Sequence, residues 1–153
     1  MYRDWIVQIA KDLNRSIDYL ETRHDIDPGK IAYCGFCWGA KLGFIMIPVA
    51  NRFKAGVLVS GGLPQLDVEF PRFIEPAVLA QGIRIPVLML NGEVESLCPL
   101  ETSQVPAFQR LGTPDDHKQH KLYPGGDEFY NLHLEQAQQD ILGWLDRYLG
   151  PVN

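Results

Sequence analysis

A thiol able to attack a carbonyl carbon stands in the stretch Gly35-Phe36-Cys37-Trp38-Gly39. The glycine spacing is that of a strand-to-helix nucleophile elbow, with cysteine where serine is the commoner nucleophile. A side chain on so sharp a turn is lifted clear of its backbone, and glycines on either side let strand and helix pass without a Cβ clash. As a thiolate, Cys37 can form a thioester and so divide one hard acyl transfer into two easier steps. Two carboxylates share its placement: Glu95 and Asp127 each follow a segment of strand character, so parallel strands would bring all three to one edge. Each residue also has a plainer reading. Cys37 can be a small buried hydrophobe in a turn, Glu95 a solvated loop acid, and Asp127 a turn or capping residue before the last helix. Cys34 and Cys37 also have the C-x-x-C spacing of a dithiol redox site, a third reading; in the elbow reading Cys34 points into the core at the strand's end and a stable disulfide is not expected.

The elements that must position these groups follow from hydrophobic periodicity. Trp5, Ile6, Ile9, Leu13, Ile17 and Leu20 recur at helical steps, predicting an amphipathic helix from about Arg3 to Thr22 that Asp25, Asp27, Pro28 and Gly29 interrupt. Lys30 to Cys34 reads as a buried strand before the elbow, and Ala40 to Val49 as the helix after it. Phe53 to Ser60 is a second apolar strand ending at Gly61-Gly62, and Ile85 to Leu90 a third ending at Asn91-Gly92. Between them, residues 63–82 carry Pro64, Pro71 and Pro76 and read as an irregular excursion of the kind that covers a pocket as a lid. Pro99 to Leu111 should be helical, His117 to Tyr123 a partly exposed fourth strand, and Asn131 to Leu149 a closing helix stopped by Gly150-Pro151. His117 and His120 are expected at the surface of that last strand.

This order predicts a single α/β domain over residues 1–153, three-layered, with a mostly parallel sheet of about four strands and helices on both faces. Ligands in such sheets bind beyond the carboxyl ends of the strands, which is where Cys37, Glu95 and Asp127 would meet. With 153 residues, 46% of them hydrophobic, the chain can bury one core. Its net charge of −5, without clustered Lys or Arg, gives no electrostatic footprint for nucleic acid or an anionic membrane. The start lacks the apolar centre of a secretory signal, and an odd count of three cysteines fits a reducing compartment, so a cytoplasmic location is expected. No ligand spacing among the cysteines and histidines supports a metal, and no cofactor motif stands out.

The chain resembles a known family nearly end to end. Asp12-Leu13 with Ser16 to Arg23, the Gly35 to Gly39 elbow, Pro86 to Gly92, Glu101-Thr102-Ser103-Gln104, Tyr123 with Gly125-Gly126, and Trp144 to Leu149 are similar to the dienelactone hydrolase-like branch of the α/β-hydrolases. The likeness is strongest to the hydrolase-like domains fused behind bacterial Ser/Thr kinases. It implies a small-molecule ester or lactone as substrate, and a triad in the order nucleophile, acid, histidine. Cys37 matches the nucleophile, the Trp38 N–H the oxyanion donor, and Glu95 the acid, where aspartate is usual. At the histidine position after Gly125-Gly126 this chain has Asp127, which cannot do an imidazole's work; His133, six positions on, is the imidazole that reaches the site if the connecting loop folds back. The resemblance also implies that the strands preceding the long first helix in complete members are missing here, so the elbow strand has an open edge. A homodimer through that exposed edge is the expectation. The functional expectation is therefore a cysteine hydrolase with a degenerate triad, weak or inactive. The alternatives are a non-catalytic binding or assembly remnant, and a thiol-disulfide protein using Cys34 and Cys37.

Overall fold

The computed structural model describes residues 2–63 and 75–151. Helix α1 (Tyr2–Glu21) presents Ile6 and Ile17 to the interior at the spacing the sequence implies, and Ile6 packs on Ile45 and Met46 of the next helix. Strand β1 (Ala32–Phe36) runs into the elbow, and α2 (Trp38–Ala50) leaves it. Asn51, in the left-handed region at φ 50°, ends α2, its N–H donating to the Ile47 carbonyl. There follow β2 (Ala55–Val59), α3 (Pro76–Leu79), β3 (Val87–Gly92), α4 (Val105–Arg110), β4 (Lys118–Tyr123), α5 (Phe129–Leu132) and α6 (Leu134–Leu149). The four strands are parallel in the order β1-β2-β3-β4, and helices cover both faces, as the α/β reading requires.

Strands β2 and β3 are buried along their whole length, because both of their faces are covered. Leu58, Val87 and Met89 join Phe44 and Ile47 of α2 and Ala107 of α4 on one side; Val57, Val59, Leu88 and Leu90 join Phe129, Ala137 and Trp144 on the other. Continuous apolar runs rather than alternation are the signature of such strands, and each fully buried large side chain stabilises the fold by about 1.5–3 kcal/mol. Arg52 pins α1 to the β-sheet side of the chain, bonding Asp18 at 2.6 Å and also Glu21.

Several boundaries differ from expectation. β1 begins at Ala32 rather than Lys30 and reaches Phe36, so Cys34 lies mid-strand. Its register opposite Val57 aims it at the α6 side, but α6 packs over β2 and β3, and Cys34 is exposed rather than pointing into the core. The helix expected from Pro99 is a π-helical turn (Leu100–Gln104) followed by the short α4, and the closing helix is divided at His133. Most of the 63–82 excursion, residues 64–74, lies outside the described residues; its end folds as α3 and a 3₁₀ turn (Ala80–Gly82) against α2. None of the described helices is long and apolar enough to cross a membrane.

Candidate active site

Cys37 has φ 50° and ψ −107°, outside the ordinary regions for a residue with a side chain. Such a conformation costs about 1–3 kcal/mol and persists only where surroundings over-determine it. Here the Cys37 N–H donates to Val59 O (2.8 Å), fastening the turn to the end of β2, while its carbonyl accepts the Lys41 N–H (3.0 Å) and opens the first turn of α2. Gly35 makes the crossing possible: a Cβ there would stand 2.5 Å from the Gly39 carbonyl carbon and oxygen. Gly39 differs from expectation, since a Cβ on it would meet nothing within 4 Å. The N–H of Trp38, at the first position of α2, has no acceptor within its own helix and sits at the positive end of the helix dipole.

The thiol shares a pocket of about 80 Å³ with Phe36, Ser60, Glu95, Leu97 and Asp127. The sheet explains the convergence: Phe36, Val59 and Gly92 close their strands on the same side, and the loops that follow meet there. Glu95 is not a solvated loop acid. It is 3% exposed, with Oε1 accepting from the Gly92 N–H (2.7 Å) and from Asn91 Nδ2 (3.3 Å). Its Oε2 is buried and has no hydrogen-bond partner. Burial pushes the carboxyl up to about 7; the bonds from Gly92 and Asn91 oppose the shift and the charge of Asp127 adds to it. Ser60, 8% exposed and itself at φ 53°, has a buried Oγ that stands near this carboxyl without closing a hydrogen bond.

Asn91 links this wall to β4. Its Nδ2 hydrogens go to Gly61 O (2.9 Å) and Glu95 Oε1, so its Oδ1 must accept, and His120 Nε2 at 3.2 Å must carry a proton. His120 is therefore half-buried and committed, not a surface residue; its ring also lies 5.6 Å from that of Phe108, and burial lowers its pKa.

Asp127 ties two loops together, accepting from the Ser96 N–H (3.3 Å), the Ser96 hydroxyl and the Leu97 N–H (3.3 Å). The Ser96 hydroxyl, helped by the two N–H groups and by Lys41, holds it below the usual carboxylate range. The structure thus brings Cys37, Glu95 and Asp127 together, while His133 lies elsewhere: its Nε2 donates to Pro124 O (2.9 Å) and its ring stands 5.6 Å from Tyr123. Cys98 is wholly buried with its Sγ 3.7 Å from Ser60 O, and burial pushes the thiol up. Among the described residues no group of three His, Cys, Asp or Glu side chains is arranged to hold a metal. Ser60, Asn91 and His120 escaped the sequence reading. Asn91-Gly92 and Ser60-Gly61-Gly62 signalled only strand ends, and nothing local marks His120 as bonding across to β3.

A strained turn at the carboxyl edge of a parallel sheet, leading from a strand into a helix, is the local geometry of the nucleophile elbow found in the α/β-hydrolase class. The model of the dienelactone hydrolase family matches residues 3–127, and the chain belongs to that family. A Yersinia pestis protein provisionally named carboxymethylenebutenolidase is 27% identical over 92% of this chain and 55% of its own length. The chain spans about half the length of the curated relatives it matches. A dienelactone hydrolase, also provisionally named, from Klebsiella pneumoniae superposes with a TM-score of 0.74 at 22% identity, covering 94% of this chain and 62% of that one. An acetyl xylan esterase from Paenibacillus superposes with a TM-score of 0.73 at 21% identity, covering 93% and 52%.

Proposed function

We propose that this chain carries the acyl-transfer centre of a dienelactone hydrolase-type enzyme that cleaves small carboxylic esters or lactones without a cofactor, slowly because its triad is degenerate. The single observation that carries the reading is Cys37, held at positive φ at the head of α2 and opening on the pocket that holds Glu95. In this reading Cys37 attacks the carbonyl carbon, the Trp38 N–H helps hold the oxyanion, and Glu95 occupies the acid position. The small pocket suits a short acyl group. Asp127 stands where an imidazole would serve, and His133 is engaged elsewhere, which supports low activity. Turnover of p-nitrophenyl acetate by the full chain, abolished in Cys37→Ala, is the expected result. Equal turnover in the variant would overturn the reading.

A non-catalytic assembly module is the second reading, favoured by Asp127, whose carboxylate is taken up by Ser96 and Leu97 in holding two loops together, and it predicts no turnover in either protein. We also propose a cytoplasmic homodimer in which β1 pairs with its copy across a twofold axis. β1 has a strand neighbour on one side only among the described residues, and Cys34, Phe36 and Trp38 are exposed beside it. Light scattering over a dilution series should show a dimer-to-monomer transition; a monomer at every concentration would remove the proposal.

A further inference from the structure

We propose that Glu95 is itself the acid-base residue of this site: its Oε2 takes the proton of the Cys37 thiol and delivers it to the leaving group, in place of an imidazole. The inference rests on the hydrolase reading above and adds a role that reading leaves empty. Geometry carries it. The two oxygens of Glu95 are not equivalent: Oε1 is fixed by Gly92 and Asn91, while Oε2 is buried without a partner in a side chain that lines the same small pocket as Cys37. A carboxylate that merely oriented a base would have that base on its free oxygen; among the described residues no imidazole bonds to Glu95, and the polar group beside it is the Ser60 hydroxyl. Asp127 cannot compete for the role, because Ser96 and Leu97 occupy both of its oxygens.

The steps balance. Glu95 carboxylate accepts the thiol proton as the Cys37 sulfur pair forms the C–S bond and the carbonyl π pair moves onto oxygen, next to the Trp38 N–H. The tetrahedral intermediate collapses, the C–O bond to the alcohol breaks, and the departing oxygen takes the proton from Glu95, leaving a thioester and a carboxylate. Glu95 then accepts a proton from water as its oxygen attacks the thioester carbon. Collapse expels the sulfur, which recovers that proton and releases the carboxylic acid. Burial supports the assignment, since a carboxyl brought up to about 7 is a far better base than an exposed one and still changes state at neutral pH. The titratable groups facing it are Cys37 on the elbow, Asp127 before α5, Lys41 on α2, Cys98 after β3, and His120 of β4 through Asn91.

The test is the pH profile of iodoacetamide alkylation, read at position 37 by peptide mass spectrometry on the full chain. The expected profile has a shoulder near pH 7 ahead of the rise that thiols ordinarily show. In Glu95→Gln the shoulder should vanish, and p-nitrophenyl acetate turnover should fall on the order of a hundredfold. A wild-type profile with no feature between pH 6 and 8 overturns the inference without needing any variant to fold, and so does a shoulder or turnover preserved in Glu95→Gln. Turnover lost in Cys37→Ala but kept in Glu95→Gln would sink this role alone, whereas turnover kept in Cys37→Ala would sink the hydrolase reading beneath it.

Discussion

The pocket at Cys37 has an inner wall and an outer wall built on opposite principles. The inner wall, Ser60, Glu95 and the Asn91 to His120 connection, is buried behind β2 and β3 and fixed by backbone and amide hydrogen bonds. The outer wall is formed from Phe36 and Leu97, with Trp38 and Trp5 beside the turn, and these side chains are 42 to 57% exposed. Buried polar groups are costly unless satisfied, so the unpaired Oε2 of Glu95 is informative in a way that an exposed Leu97 is not. The carboxyl environment is thus fixed from within, while the outer side is left without buried polar bonds.

The largest effect should follow from Gly35→Ala. Its Cβ meets backbone, not a flexible side chain, at 2.5 Å, so strand and helix must separate to admit it. A loss of about 3–4 kcal/mol is expected, at the upper end of single-site effects, read from a urea denaturation midpoint. A loss below about 1 kcal/mol would show that the elbow flexes and that the inner wall does not hold it.

Glu95→Gln sharpens the contrast through pH. The folded carboxyl is raised from 4.5 to about 7 by burial, so the folded chain keeps a proton that the unfolded chain has released between those values. Its contribution to stability is fully present below pH 4.5 and is lost as pH rises through about 7. At pH 8 the variant should be more stable than wild type by about 3 kcal/mol, and the two should converge near pH 4. Parallel stability curves across that range would mean that Glu95 is solvated in the folded state.

Sequence periodicity carried most of the architecture, because β2, β3, α1 and α6 have apolar patterns that tertiary packing reinforces. The elbow was equally legible, since Gly35 and Cys37 meet a local steric demand. What could not be read was long-range. Whether Cys34 is covered depends on how far α6 extends over the sheet, and His120 gains its role only from a side chain on a neighbouring strand. The same holds for Glu95, which meets Cys37, Ser60 and Asp127, all distant in sequence, in one pocket.

Ser96→Ala probes the seam between the walls. It removes the hydroxyl that bonds Asp127 while leaving the two N–H donors, so the loss should be about 0.5–1 kcal/mol at neutral pH. Because the Asp127 carboxyl is depressed, its stabilisation is present above pH 3.8 and disappears as pH falls through its folded value. The variant should therefore lose less stability on acidification than wild type. An identical acid limb in the two proteins would show that the hydroxyl contributes nothing to holding the loops.

The smallest expected change comes from the other glycine of the elbow. Gly39 lies in the first turn of α2 without positive φ, and an added methyl meets no atom within 4 Å, so the steric argument that governs Gly35 does not apply. Alanine there restricts the unfolded chain and favours the helix, which should stabilise the fold by about 0.4–1 kcal/mol. The backbone carbonyl of Gly39 would go on accepting the Tyr33 hydroxyl (2.6 Å), because that bond involves no side-chain atom of residue 39. If p-nitrophenyl acetate turnover nevertheless drops in Gly39→Ala while its thermal midpoint rises, the open space beside Gly39 belongs to the path of the substrate. The outer wall would then be a functional surface and not merely an unfilled one.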